Sequence, residues 1–121
     1  MTYEEVKNLQ ISNIISHTSD LLNLTKNCLS IVSTSTAKDD ELCMLIGAGV
    51  SDLIRNDIDV LNNISDELIQ ATIVMYVKAN FEMLDEATRK RALQMYIMNC
   101  KNLSLSNKYL ISEETDVPNS L

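Results

Sequence analysis

The stretch Leu42-Cys43-Met44-Leu45-Ile46-Gly47-Ala48-Gly49-Val50-Ser51-Asp52-Leu53-Ile54 decides the fold class. Counted from Leu42, the apolar or glycine positions of one set fall at offsets 3, 4, 7, 8, 11 and 12, with no miss. That spacing marks one face of a helix, whereas a strand would need a period of two. Asp39 or Asp40 stands where an N-cap belongs, so the helix is expected to open there. Gly47-Ala48-Gly49 sits inside the pattern and has the opening of a dinucleotide loop, but neither the third glycine nor a preceding strand. Missing side chains on a helix instead let a second helix come close, at about 1 kcal/mol of helix propensity per glycine.

Downstream, Arg55-Asn56-Asp57 interrupts the pattern, and Ile58-Asp59-Val60-Leu61-Asn62-Asn63 reads as a connection whose apolar residues tuck onto the core. Ser65 is the expected cap of the next helix, with Asp66 and Glu67 placed to complement its dipole. That helix runs through Leu68, Ile69, Ile73, Tyr76 and Val77 to Phe81 and is apolar most of the way round. Such a helix belongs at the centre, covered on several sides. Asp85 starts another, through Ala92, Met95, Tyr96 and Cys100. Leu103-Ser104-Leu105-Ser106 alternates, which predicts a short extended segment, and residues 112–121 read as a mobile tail.

Upstream, Thr2 and Glu5 form a capping-box pattern ahead of Val6, Leu9 and Ile14. A second helix is expected from Ser19 through Leu22, Thr25, Leu29 and Val32, and Ser33-Thr34-Ser35-Thr36 reads as a linker. The chain therefore reads as one all-α domain over residues 1–121, a small bundle of four to five helices. Its parts are an N-terminal helical extension (1–38), core helices (39–101) and an extended segment with tail (102–121).

Composition agrees. Two glycines, one proline and no tryptophan in 121 residues supply too little turn punctuation for an all-β fold. An apolar share of 45% rules out wholesale disorder. Seventeen acidic against ten basic residues, net −7, argue against a phosphate-binding face. No run of 18 apolar residues spans a membrane, and the acidic start Thr2-Tyr3-Glu4-Glu5 is unlike a secretory leader. Cys28, Cys43 and Cys100 are odd in number and read as free thiols of a reducing cytoplasm.

The chemistry is thin. One histidine cannot build a His-rich metal site, and no cysteines have ligand spacing. His17 and Cys28 are eleven residues apart; on a straight helix that is about 16 Å, too far for a nucleophile–base pair. His17 reads as a helix-end residue. Asp57 and Asp59 lack the further ligands of a calcium loop. Arg89-Lys90-Arg91 is better balanced by Asp85 and Glu86 at i, i+4 than by nucleic acid. The six methionines are expected to fill the core, with some apolar surface shared with a partner. No catalytic, metal or cofactor-binding residue is assigned, and no cofactor is expected.

Four blocks in order carry a family resemblance: Asp39-Asp40-Glu41-Leu42 leading to Ser51-Asp52-Leu53-Ile54-Arg55; the loop Asp57-Ile58-Asp59-Val60; Asp66-Glu67-Leu68-Ile69-Gln70-Ala71 leading into Tyr76-Val77-Lys78-Ala79-Asn80-Phe81; and Tyr96 with Asn102-Leu103-Ser104-Leu105-Ser106-Asn107-Lys108-Tyr109. Together they resemble the head–tail connector proteins of long-tailed bacteriophages, also called head-completion or DNA-packaging adaptor proteins. Two departures stand out: a longer first 38 residues rich in Ser, Thr and Asn, and Glu82 where the family often has Gly or Asp.

The resemblance implies a virion subunit, made in the host cytoplasm, that forms a ring of typically twelve copies beneath the portal protein. The ring would extend the DNA channel, without specific DNA binding, and carry a downstream adaptor, stopper or tail-completion protein. The expected subunit contacts are Leu45, Gly49, Leu53, Ile69, Ile73 and Tyr76. The expected portal contacts are Leu103, Leu105, Lys108 and Tyr109, and deleting 103–121 is expected to block docking while leaving the fold soluble. The rival reading is a helical regulatory or adaptor protein with a single protein partner.

Overall fold

A computed structural model describes residues 2–13, 18–32 and 34–111. Its helices are α1 (Tyr3–Asn13), α2 (Thr18–Cys28), α3 (Asp39–Arg55), α4 (Glu67–Asn80) and α5 (Glu86–Ser104). Short 3₁₀ turns at Leu61–Asn63 and Asn107–Tyr109 complete the all-α fold, with no strand among the described residues. His17 and the tail 112–121 lie outside the described residues.

The predicted stripe of α3 is the spine of the core. Leu42, Ile46, Val50, Leu53 and Ile54 are fully buried. Each such side chain contributes roughly 1.5–3 kcal/mol relative to exposure. They face Ile69, Ile73 and Val77 of α4, the central helix, which packs on α2, α3 and α5. From α5 come Ala92, Tyr96 and Leu103; from α1, Val6; from α2, Leu21; from the connection after α3, Ile58 and Val60.

Several boundaries differ from the sequence expectation. The cap of α4 is Asp66, not Ser65: its Oδ1 accepts from the backbone N–H of Leu68 (2.8 Å) and Ile69 (3.3 Å). Asp39 does not cap α3. Its carboxylate instead meets Lys26 Nζ at 2.8 Å, and Lys26 is 2% exposed. A buried ammonium is costly without a partner, so the aspartate is spent on pairing rather than capping. At the N-terminus, Thr2 Oγ1 accepts from Glu5 N at 3.1 Å, one arm of the expected capping box.

Helix α2 ends at Cys28 and does not run on to Val32. Ser30, at φ 60°, takes the left-handed position, Ile31 N–H reaches back to Lys26 O (2.8 Å) and Ser30 N–H to Asn27 O (3.2 Å). This is a Schellman ending with serine where glycine is usual. The end of α3 repeats it. Asp57 has φ 72°, Ile58 N–H bonds Leu53 O (3.0 Å) and Asp57 N–H bonds Ile54 O (2.9 Å). Ile58 and Leu53, at the positions such an ending brings together, are both buried in the core.

The segment after residue 102 was expected to be extended, but α5 continues through Ser104. Leu103 is buried and Leu105 is 84% exposed, so the alternation marks a helix end, not a strand. The extended backbone lies later, where Leu110 bridges antiparallel to Ile58. The methionines also depart from expectation. Met44, Met83, Met95 and Met98 are all exposed, and among the described methionines only Met75 packs partly against the core.

Candidate assembly surface and C-terminal clasp

The polypeptide after α5 is clasped to the loop before α4. Asp66 uses one carboxylate oxygen to cap α4 and the other to accept from Tyr109 Oη (2.9 Å) and Lys108 Nζ (3.3 Å). Burial pushes the Asp66 carboxyl up, but Tyr109, the α4 N-terminal amides and Lys108 together hold it below its ordinary value. Lys108 is in turn raised, chiefly by Asp66. Backbone bonds add to the clasp: Asp59 N–H to Tyr109 O at 2.7 Å, and Ile111 N–H to Asp57 O at 2.8 Å.

Helix α1 is tied to the same loop. Lys7 Nζ reaches Asp57 Oδ1 at 3.2 Å and Arg55 O at 3.3 Å. The Tyr3 hydroxyl also bonds Asp57, which lowers the Asp57 carboxyl, while burial and that contact push Tyr3 up to about 12. Asp57 thus works as helix terminator and as polar anchor for both ends of the described chain.

The expected site residues divide sharply. Leu53, Ile69 and Ile73 are fully buried, and Gly49 is buried against Tyr76, where an added Cβ would lie 2.9 Å from Tyr76 Cδ1. Leu45 and Tyr76 are partly covered by the core. Most of this set therefore packs the subunit's own interior: a helical face identified by its period is the face that the same chain covers first. Among the expected portal residues, Leu103 is core, Tyr109 is a clasp residue, and Lys108 and Leu105 reach solvent. Deleting 103–121 removes Leu103, Tyr109 and Ile111 from the core and clasp, so it would damage the fold rather than spare it.

Among the described helices, α5 carries the largest group of uncovered apolar side chains. Leu93, Met95, Ile97 and Met98 are 45–61% exposed, flanking the buried line of Ala92, Tyr96 and Leu103. Met44 on the outer side of α3 and Met83 after α4 add to it. The sequence carried a signal, since Leu93 and Ile97 are spaced i, i+4 on a stripe different from the buried one. Around Arg89-Lys90-Arg91, Lys90 pairs with Glu86 at 3.4 Å as expected, while Asp85 turns to Thr88, whose hydroxyl lowers its carboxyl.

No group of three His, Cys, Asp or Glu among the described residues could hold a metal. The Cys43 and Cys100 thiols are pushed up by burial, away from the thiolate form that a nucleophile needs. Tyr96 Oη donates to Asp52 Oδ2, and burial followed by that contact raises its pKa; the ring also meets Tyr76 edge-on at 5.3 Å. This is a packed joint between α3, α4 and α5, not a cleft. A mostly apolar groove of about 400 Å³ is lined by Leu29, Ile31 and Ala37 on one side and Phe81, Met83 and Leu84 on the other.

No helix among the described residues is long and apolar enough to cross a membrane. Comparison with curated proteins and with solved structures found no match. A family model described as phage connector protein matches residues 21–109, from α2 through the clasp. That span takes in the core helices after α1, the Asp66 clasp and the uncovered face of α5, and the chain belongs to the phage connector protein family, a family of structural proteins.

Proposed function

We propose that this chain is a head–tail connector subunit that forms a ring on the portal protein, prolongs the DNA channel and offers a platform for the next neck or tail protein. Family membership supports a structural place in the virion. The observation that carries the finer reading is the group of exposed apolar side chains on α5. Large side chains left half-bare on one helix mark a surface completed by other protein. A ring places one face of each copy against a different face of the next.

The net charge of −7 fits a channel wall past which DNA slides, because an acidic lumen repels phosphates rather than binding them. Leu105 and Lys108, which project from the clasped segment, are the portal-facing candidates that remain exposed. The test is electron-microscope imaging of portal assemblies with and without the purified chain. A continuous extra ring under the portal is expected. Single, scattered attachment would instead favour the one-partner adaptor.

A further inference from the structure

We propose that neighbouring copies meet by laying the outer face of α3 of one subunit antiparallel on the outer face of α5 of the next. The inference rests on the ring reading above and deepens it by naming the two surfaces. On α3, the outward stripe begins at exposed Asp40, passes exposed Met44 and Ala48, and ends at exposed Arg55. On α5, the outward stripe begins at exposed Glu86, passes Leu93 and Ile97, and ends at exposed Lys101. Each stripe spans sixteen residues.

Set antiparallel, one register satisfies both ends at once. Asp40 lies opposite Lys101, Met44 opposite Ile97, Ala48 opposite Leu93, and Arg55 opposite Glu86. Acid meets base at each end and apolar meets apolar or small in the middle, while exposed Lys90, paired with Glu86 of its own helix, falls opposite Ser51. A parallel alignment puts Asp40 opposite Glu86 and Arg55 opposite Lys101, two like-charge pairs, so charge selects the direction.

Gly47 is the second observation. Nothing lies within 4 Å of a Cβ built there, unlike Gly49, so the subunit's own packing does not require this glycine. A helical glycine costs about 1 kcal/mol against alanine, and close approach of a neighbouring helix beside Ala48 accounts for it. The exposed thioether of Met44 adapts readily to an apolar partner.

The test introduces Ala48→Cys with Leu93→Cys in the full chain carrying Cys28→Ser, with each single variant as control, under mild oxidation. Because each copy carries both surfaces, the double variant should give a ladder of dimers, trimers and longer disulfide-linked species, and the single variants should not. Independently, Asp40→Lys should weaken self-association about five- to ten-fold, and adding Lys101→Asp should restore it to within about three-fold. Light scattering is read in parallel. Assembly without ladder or charge rescue overturns this contact and leaves the ring reading standing. A chain that remains monomeric with and without portal overturns both.

Discussion

Replacing Gly49 by alanine should destabilise the subunit, although alanine is the better helix former. The new Cβ would stand 2.9 Å from Tyr76 Cδ1, 3.0 Å from Cγ and 3.2 Å from Cβ. The last two atoms are the root of the side chain, so rotating the ring does not free them. The ring is also held edge-on against Tyr96, which is bonded to Asp52 of α3. Relief therefore requires α4 to retreat by several tenths of an ångström. Overpacking of this kind costs about 1–3 kcal/mol, against a propensity gain of about 1 kcal/mol. The expected net loss is therefore up to about 2 kcal/mol, or up to roughly 10 °C in Tm for a chain this size, which leaves the variant about 1–3 kcal/mol below a substitution that makes the propensity gain alone. Gly47→Ala is the control on the same helix: with open space around it, it should gain about 1 kcal/mol. Urea unfolding followed by circular dichroism measures both, at a dilution where self-association does not contribute. A Gly49→Ala variant as stable as Gly47→Ala would refute the close-packing account.

Other substitutions separate residues that looked alike in the sequence. Leu103→Ala should cost about 2–5 kcal/mol as a core truncation, whereas Leu105→Ala should stay within about 0.5 kcal/mol; denaturant midpoints decide. Asp39→Ala, which removes the carboxylate 2.8 Å from the buried Lys26 ammonium, should cost about 2–3 kcal/mol, and Lys26→Met should be close to neutral, as is common for buried ion pairs replaced by apolar groups. Ser30→Gly should stabilise by about 1 kcal/mol because its φ of 60° then carries no Cβ penalty; Asp57→Gly should show no such gain, since it forfeits the bonds to Tyr3 and Lys7. The folded-state pKa values of Asp57 and Asp66 are lowered, so their stabilisation is complete above the unfolded value of about 3.9 and is lost as pH falls through the folded values. Tyr3, raised to about 12, acts oppositely: its share is present below about 10 and lost as pH climbs through about 12. Thermal melts of wild type and Asp57→Asn/Asp66→Asn across the acid range should show a flatter acid limb in the double variant.

The helical period of 42–54 and the all-round apolar character of 66–81 were legible because burial by the same chain writes a repeating signal. Helix ends were less so. Both Schellman turns use serine or aspartate in place of glycine, and the Asp39–Lys26 pair diverts an aspartate from capping to a contact across the fold. Neither leaves a mark in local sequence. The expected subunit-contact residues are hard to tell from core positions for a related reason. Leu53, Ile69 and Ile73 stand out by periodicity because the interior claims them. Exposed apolar residues such as Leu93 and Ile97 interrupt a polar surface at only two or three positions, a weak signal beside a core stripe. Methionine carried no information about side, since Met75 packs inward and Met95 and Met98 face outward from the next helix.

Native mass spectrometry of the intact chain mixed with its portal protein tests the central claim most directly, because it counts copies. The account predicts many connector copies on each portal assembly, with a narrow distribution of a single ring stoichiometry. One copy per portal subunit site in random partial occupancy, or a chain that stays monomeric beside the portal, would contradict it.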